Sequence, residues 1–216
     1  MKKFFKFGCL GIIAIFAILV VIMIIDIAND DPKSKEKPKE TVKETTKANT
    51  NEPKKQEKEK ASTNSDKATY EKEIKPEIDA MIKEYDHIWN QEWKPIWDKA
   101  SQDPASIDKN TLKEKMELVM NKYDELSNKN SAFKPAEKLN DSALKEKIEK
   151  FRVEFGLAVN YRSNAGRAVN QGIKGVAPMN DRMEEAKKSI QLADKKLINA
   201  TANLVEVETK LGVQRN

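Results

Sequence analysis

The chain has 216 residues, 38% hydrophobic and 35% charged, with a formal net charge of +5. That charge is spread unevenly: ten lysines face nine acids over 29–66, and 27 basic residues face 25 acidic ones from Lys67 onward. The long last part is therefore nearly neutral, which argues against a nucleic-acid surface, and the single cysteine, Cys9, leaves no disulfide, thiolate metal site or cysteine nucleophile downstream.

The first predicted element is "FGCLGIIAIFAILVVIMII", from Phe7 through Ile15 to Ile25, without a charge. As a helix rising about 1.5 Å per residue it spans roughly 28 Å, close to the hydrocarbon thickness of a bilayer. A secretory apolar region is shorter and precedes a small-residue cleavage site, whereas "DIANDD" follows here. Residues 1–28 are therefore expected to be an uncleaved membrane anchor contacting lipid. Cys9 precedes the apolar run instead of following it, which argues against a lipoprotein. Lys2, Lys3 and Lys6 lie before the span, and Asp26, Asp30 and Asp31 after it. The positive-inside rule then puts the N-terminus in the cytoplasm and the rest outside, a single-pass topology.

Residues 29–66 hold only Val42, Ala48 and Ala61 as apolar side chains, interrupted by Pro32, Pro38 and Pro53. Such a segment buries too little surface to offset its ordering entropy. The expectation is a disordered Lys/Glu/Pro stalk with a typical reach of about 35 Å.

From residue 67 to 216 the apolar spacing is helical throughout, predicting an all-α antiparallel bundle of about four long helices. The first, about 69–102, places Ile74, Ile78, Ile82, Tyr85, Trp89, Trp93 and Ile96 on one sector. Its tryptophans share that sector and are expected to be mostly buried, with Trp97 furthest from the seam. Pro95 is expected to kink or restart this helix. The second, about 109–130, sets Leu112, Met116, Val119, Tyr123 and Leu126 at 4-3-4-3 spacing. Pairing positions whose numbers sum to about 212 opposes Trp93 to Val119 and Trp89 to Tyr123. "KPAEKLND" is read as a connection with a short extra turn.

The third helix begins near Asp141–Ser142 and runs to Gly175; the fourth begins at Asn180 or Asp181, with Glu184 placed for a capping box. Both carry heptads: Leu144 through Phe155 and Ala158 to Gly172 on the third, and Met183 through Ala193 and Ala200 to Leu211 on the fourth. Folding them antiparallel about a sum of 355 sets Gly172 against Met183, Ala165 against Ile190 and Ala158 against Leu197. Small residues meeting larger ones let helix axes approach closely.

Chemistry-bearing patterns are few. Glu84 and His87 have the Glu-x-x-His spacing of helical di-metal sites, but the only histidine in the chain cannot complete such a site. No phosphate-binding glycine loop, nucleophile elbow or triad is present, so neither catalysis nor a cofactor nor a metal is expected. "NYRSNAGR" brings Tyr161, Arg162 and Arg167 together in a chain whose cations are otherwise mostly lysine. Arg162 falls on the seam opposite Ala193 and beside Asp194. One reading is a polar layer that fixes helix register; the other is a partner or anionic-ligand site. Trp97, Tyr161, Arg162 and Arg167 are the candidate partner-binding residues.

A short basic start, the "FGCLGII" anchor, a charged stalk and a helical head together resemble the layout of small membrane-anchored extracytoplasmic bacterial proteins. The likeness covers mainly residues 1–66 and carries no site residues. The expected function is a non-enzymatic surface protein presenting its bundle to a protein or envelope component, with self-association of heads as a further option. A ligand-sensing or solute-binding module, or a superinfection-exclusion or immunity protein, is the alternative.

Overall fold

The computed structural model describes residues 64–100, 102–103 and 107–215. The expected anchor, and the expected stalk as far as residue 63, lie outside these residues. The described residues belong to one compact unit and form an all-α fold with no strand among them. Helix α1 covers 64–100, α2 Lys109–Ala132, α3 Ser142–Ile173 and α4 Met179–Leu211. A 3-10 turn, Pro135–Lys138, joins α2 to α3 where the sequence suggested a short extra turn. Helix is already formed at 64–66, which composition alone assigned to the stalk. None of the described helices is long and apolar enough to cross a membrane.

Helix α1 is α-helical except over two wider π-helical segments, Tyr70–Ile74 and Ile88–Trp93. At the end of each, a lysine N–H bonds five residues back, Lys75 to Tyr70 and Lys94 to Trp89. Pro76 and Pro95 come next. A proline has no N–H and its ring crowds the carbonyl four residues earlier, so a wider turn just before it relieves both problems. The helix therefore continues past both prolines, and the expected break at Pro95 takes this form.

The wide turns also explain the aromatic ridge. Residues four apart on an α-helix drift about 40° per step, so a long run at that spacing winds off one face. A π-turn takes up an extra residue and brings the run back. The two segments lie within a repeated ten-residue pattern, "YEKEIKPEID" at 70–79 and "WNQEWKPIWD" at 89–98. Each has an aromatic, a glutamate, an apolar residue and Lys-Pro at matching places, and each closes a 2.6 Å Lys–Asp pair, Lys75–Asp79 and Lys94–Asp98. The offset is nineteen residues (89 − 70). One is absorbed by the π-turn, and the other eighteen make five α-turns of about 3.6, so both copies face inward. Accordingly Tyr70, Ile74, Ile78, Met81, Tyr85, Ile88 and Trp93 are buried, while Ile82, Trp89 and Ile96 are half-buried.

Helix α2 buries Leu112, Met116, Val119, Tyr123 and Leu126, the five residues its spacing selects, and adds Asn130. It starts at Asp108, whose carboxylate accepts from the Thr111 N–H at 2.9 Å. Helix α3 starts at Asp141, which accepts from the N–H groups of Ala143 and Leu144. The expected capping box at α4 is absent: the helix begins at Met179 after Pro178, with no side-chain cap. Helices α3 and α4 both end in a left-handed glycine, Gly175 (φ +71°) and Gly212 (φ +61°). In each case the following N–H, Val176 to Gln171 or Val213 to Glu208, closes the turn.

Cross-helix pairs fix the directions. Lys147–Glu206, Glu154–Lys196 and Arg162–Asp194 run antiparallel along α3 and α4, with position sums of 353, 350 and 356 against the expected 355. Glu92–Lys122 and Glu84–Lys129 do the same for α1 and α2, at 214 and 213. The α3–α4 interface is the most extensive in the head. Its small residues Ala158, Ala165, Ala186, Ala193 and Ala200 are all buried, which permits close axes. Gly172 shows how close: a Cβ there would lie 2.7 Å from the Met179 sulfur. Gly172 thus sits against Met179 and Arg182, one turn from the expected Met183. Leu197 is only half-buried, at the edge of the seam.

Candidate functional site

The start of α1 and the end of α4 meet at one end of the bundle, here termed proximal. Tyr70 donates to Glu208 at 2.8 Å, and the Lys67 ammonium donates to the Gly212 carbonyl at 3.0 Å. Asp66, fully buried, accepts from the Asn140 N–H, the Asn140 amide and the Asp141 N–H at 2.8–2.9 Å. Arg215 bonds Glu208 and lies 3.4 Å from Asp79. Burial first, and the Glu208 carboxylate second, hold the Tyr70 phenol well above its ordinary pKa, so it stays a donor. Asp66 and Glu208 were missed in the sequence as buried polar groups. Their one signal is spacing: Asp66 lies four before Tyr70 and Glu208 four after Leu204, on inward faces.

The opposite, distal end carries the Trp97 end of α1, the start of α2 and the α3–α4 connection. Its entrance is apolar and incompletely covered. Ile96, Trp97, Ile107, Ile173 and Met179 pack against the core but are only partly buried, and Val176 is 70% exposed. At the proximal end Phe133, Leu139 and Leu211 are all at most 6% exposed, with the smaller Ala136 and Val213 partly buried beside them.

Between these ends lies the layer that the sequence placed at Arg162. The residue is 4% exposed. Its Nε donates to the Tyr85 hydroxyl at 2.9 Å and its Nη2 to Asp194 at 2.6 Å. The guanidinium carbon lies 3.8 Å from the Trp89 ring centroid, a cation–π geometry. Trp89 stacks on Trp93 at 6.0 Å between centroids, and Trp93 meets Trp97 at 5.7 Å. Tyr85 also packs edge-on to Tyr123 at 5.5 Å, taking the place expected for Trp89. Burial raises the pKa of both tyrosines, with Arg162 opposing, so both remain neutral. Asp86, at the solvent edge of the same turn, is held above the usual carboxylate range by desolvation, against the pull of Arg162.

The candidate residues therefore do not form one patch. Arg162 is internal and bridges α1 to α4, as the polar-layer reading expects. Arg167 is exposed and pairs with Asp124 of α2 at 2.8 Å. Tyr161 is half-buried on α3 and Trp97 half-buried at the distal end. His87 is exposed, and the described residues contain no group of three or more side chains able to hold a metal ion. An open groove of about 490 Å³ runs outside α3 and α4 over Val153 and Ala202. Its carboxylates are already paired: Glu146 with Lys150, Glu149 with Arg152 and Glu154 with Lys196. It includes none of the four candidates.

No family model matches the chain, and no curated protein and no solved structure matches it.

Proposed function

We propose that the protein is a single-pass membrane protein whose antiparallel up-down helical head is held outside the cell by a charged stalk. In this reading the head binds a protein or envelope component through its distal end, without catalysis. The apolar run from Phe7 to Ile25, the lysines before it and the acids after it support the topology. One observation carries the binding role: the end furthest from where the chain comes in at residue 64 is the end with half-covered Trp97, Ile107 and Met179 and exposed Val176. Tryptophan is among the residue types enriched in the contacts that dominate binding energy.

Two measurements test this. Protease added to intact cells should digest the head; a head that survives until lysis overturns the topology. Surface crosslinking followed by purification should yield a stoichiometric partner with the native protein. The double variant Trp97→Ala, Val176→Glu should lose that partner by about tenfold or more while keeping its helical content. Retention of the partner by the double variant would move the binding surface elsewhere.

A further inference from the structure

The proximal contacts gather on one short segment. After the left-handed turn at Gly212, residues 213–215 fold back over the end of α4 instead of leaving the head. Val213 packs against the core. Arg215 reaches Glu208 through both Nε and Nη2 at 3.1–3.2 Å, and Asp79 of α1 through Nη2 at 3.4 Å. Glu208, 4% exposed, in turn receives the Tyr70 hydroxyl, and the Gly212 carbonyl receives Lys67. Three residues of α1, Lys67, Tyr70 and Asp79, are thus held by residues 208–215.

Helices α3 and α4 interlock through buried alanines over their length. The start of α1 is seated by Ile74 and Ile78 in the core and by Asp66 on Asn140 and Asp141, and its polar contacts to the end of α4 run through this cluster. Removing Arg215 leaves Glu208 as a buried carboxylate with Tyr70 as its remaining donor among these groups, and a buried charge deprived of its cation is strongly unfavourable.

We propose that residues 212–215 are a strap that locks the start of α1 onto the bundle. Releasing it opens the proximal end of α1 as a unit and leaves the α3–α4 pair closed. The strap rests on contacts among described residues alone, so it stands or falls independently of the topology and of any partner.

The test is amide hydrogen exchange on the full-length protein in detergent micelles, comparing wild type with Arg215→Ala. Exchange across 66–80 should rise by about tenfold or more, while α3 and α4 amides near Ala158, Ala193 and Ala200 keep their protection. Gly212→Ala is the second variant, since it strains the φ +61° turn and displaces the strap without deleting any of its charges. It should give the same regional pattern. Unchanged exchange across 66–80 in both variants overturns the strap. So does an equal rise along all four helices, because the segment would then be only one part of a single cooperative fold.

Discussion

The two ends of the head bury polar groups in different ways. At the proximal end the fully buried Asp66 takes three N–H donors, and Glu208 is enclosed by Tyr70 and Arg215. Among the described residues, the Trp93 indole N–H, Arg162 Nη1, Asn170 Oδ1 and Arg182 Nε of the distal half are buried without a protein partner, as is Asn130 Oδ1 on the proximal side. Apolar coverage follows the same division. A polar group inside a protein favours folding only when its partners are supplied, so the proximal end reads as optimised for closure. The distal half keeps its stability in aromatic area and tolerates that polar shortfall.

The sharpest way to break this contrast is at neighbouring rings. Trp93 is fully buried, and Trp93→Ala should cost about 3–5 kcal/mol in a denaturant titration. Trp97→Ala, one turn on, should cost less, about 1–2 kcal/mol, because that ring packs against the core with part of its surface in solvent. Equal costs would mean that the distal end is as closed as the rest.

Next in size is Asp66→Ala, which removes the acceptor for the Asn140 and Asp141 N–H groups and should cost about 2–3 kcal/mol. A change within error would show that the proximal network is replaceable by solvent.

Arg162 should be intermediate and dependent on the replacement. Arg162→Ala leaves the Tyr85 hydroxyl and Trp89 without their cation, and should cost about 2 kcal/mol; Asp194, with half its side chain in solvent, adds little. Arg162→Met fills the same space and should stay within about 1 kcal/mol of wild type. A stable methionine variant whose helix pairing is scrambled, seen as altered interhelical distances by spin labelling, would support the register role read from the heptad.

The smallest effect is a pH dependence at Asp141. Its carboxyl is held below the ordinary range by the hydrogen bond from Lys210, then by the Leu144 and Ala143 N–H groups at the start of α3. A carboxyl depressed in the folded state contributes stability that is complete above its unfolded value, about 3.9, and lost as pH falls through the lower folded value. Solvent screening keeps this below about 1 kcal/mol. The fall in Tm on acidification below about pH 4 should be smaller in Asp141→Asn, which keeps a cap but cannot titrate. Parallel curves would remove Asp141 from the acid limb.

Much of the head was legible in the sequence because two kinds of spacing encode it. The 4-3-4-3 stripe of α2 and the alanine heptads of α3 and α4 state which face is inward, and antiparallel pairing follows from short connections. Arg162 beside Asp194 came from the same register. The contacts that needed coordinates were those set by departures from regular helix. Pro95 is expected from sequence to kink or restart α1, whereas a wider turn before it, as before Pro76, lets the helix run on and re-phases the tryptophans. That shift put Tyr85 instead of Trp89 on Tyr123. Pro178 starts α4 early enough to leave Glu184 outside a cap. Asp66 and Glu208 carry charges that composition assigns to solvent, and only their neighbours four residues away mark them as internal.

The repeated "Lys-Pro" pattern has a consequence for how the chain tolerates a change in length. Removing one residue from α3 or α4 would rotate everything beyond it by about 100° and unseat the alanine seam. In α1 a residue can be taken out between Tyr70 and Ile74, with Pro76→Ala alongside, and the wide turn simply becomes an ordinary one. Side chains further along would still point to the same neighbours. The first helix therefore carries its own slack, and length variation among natural or engineered versions of this head should be found there before anywhere else in a helix.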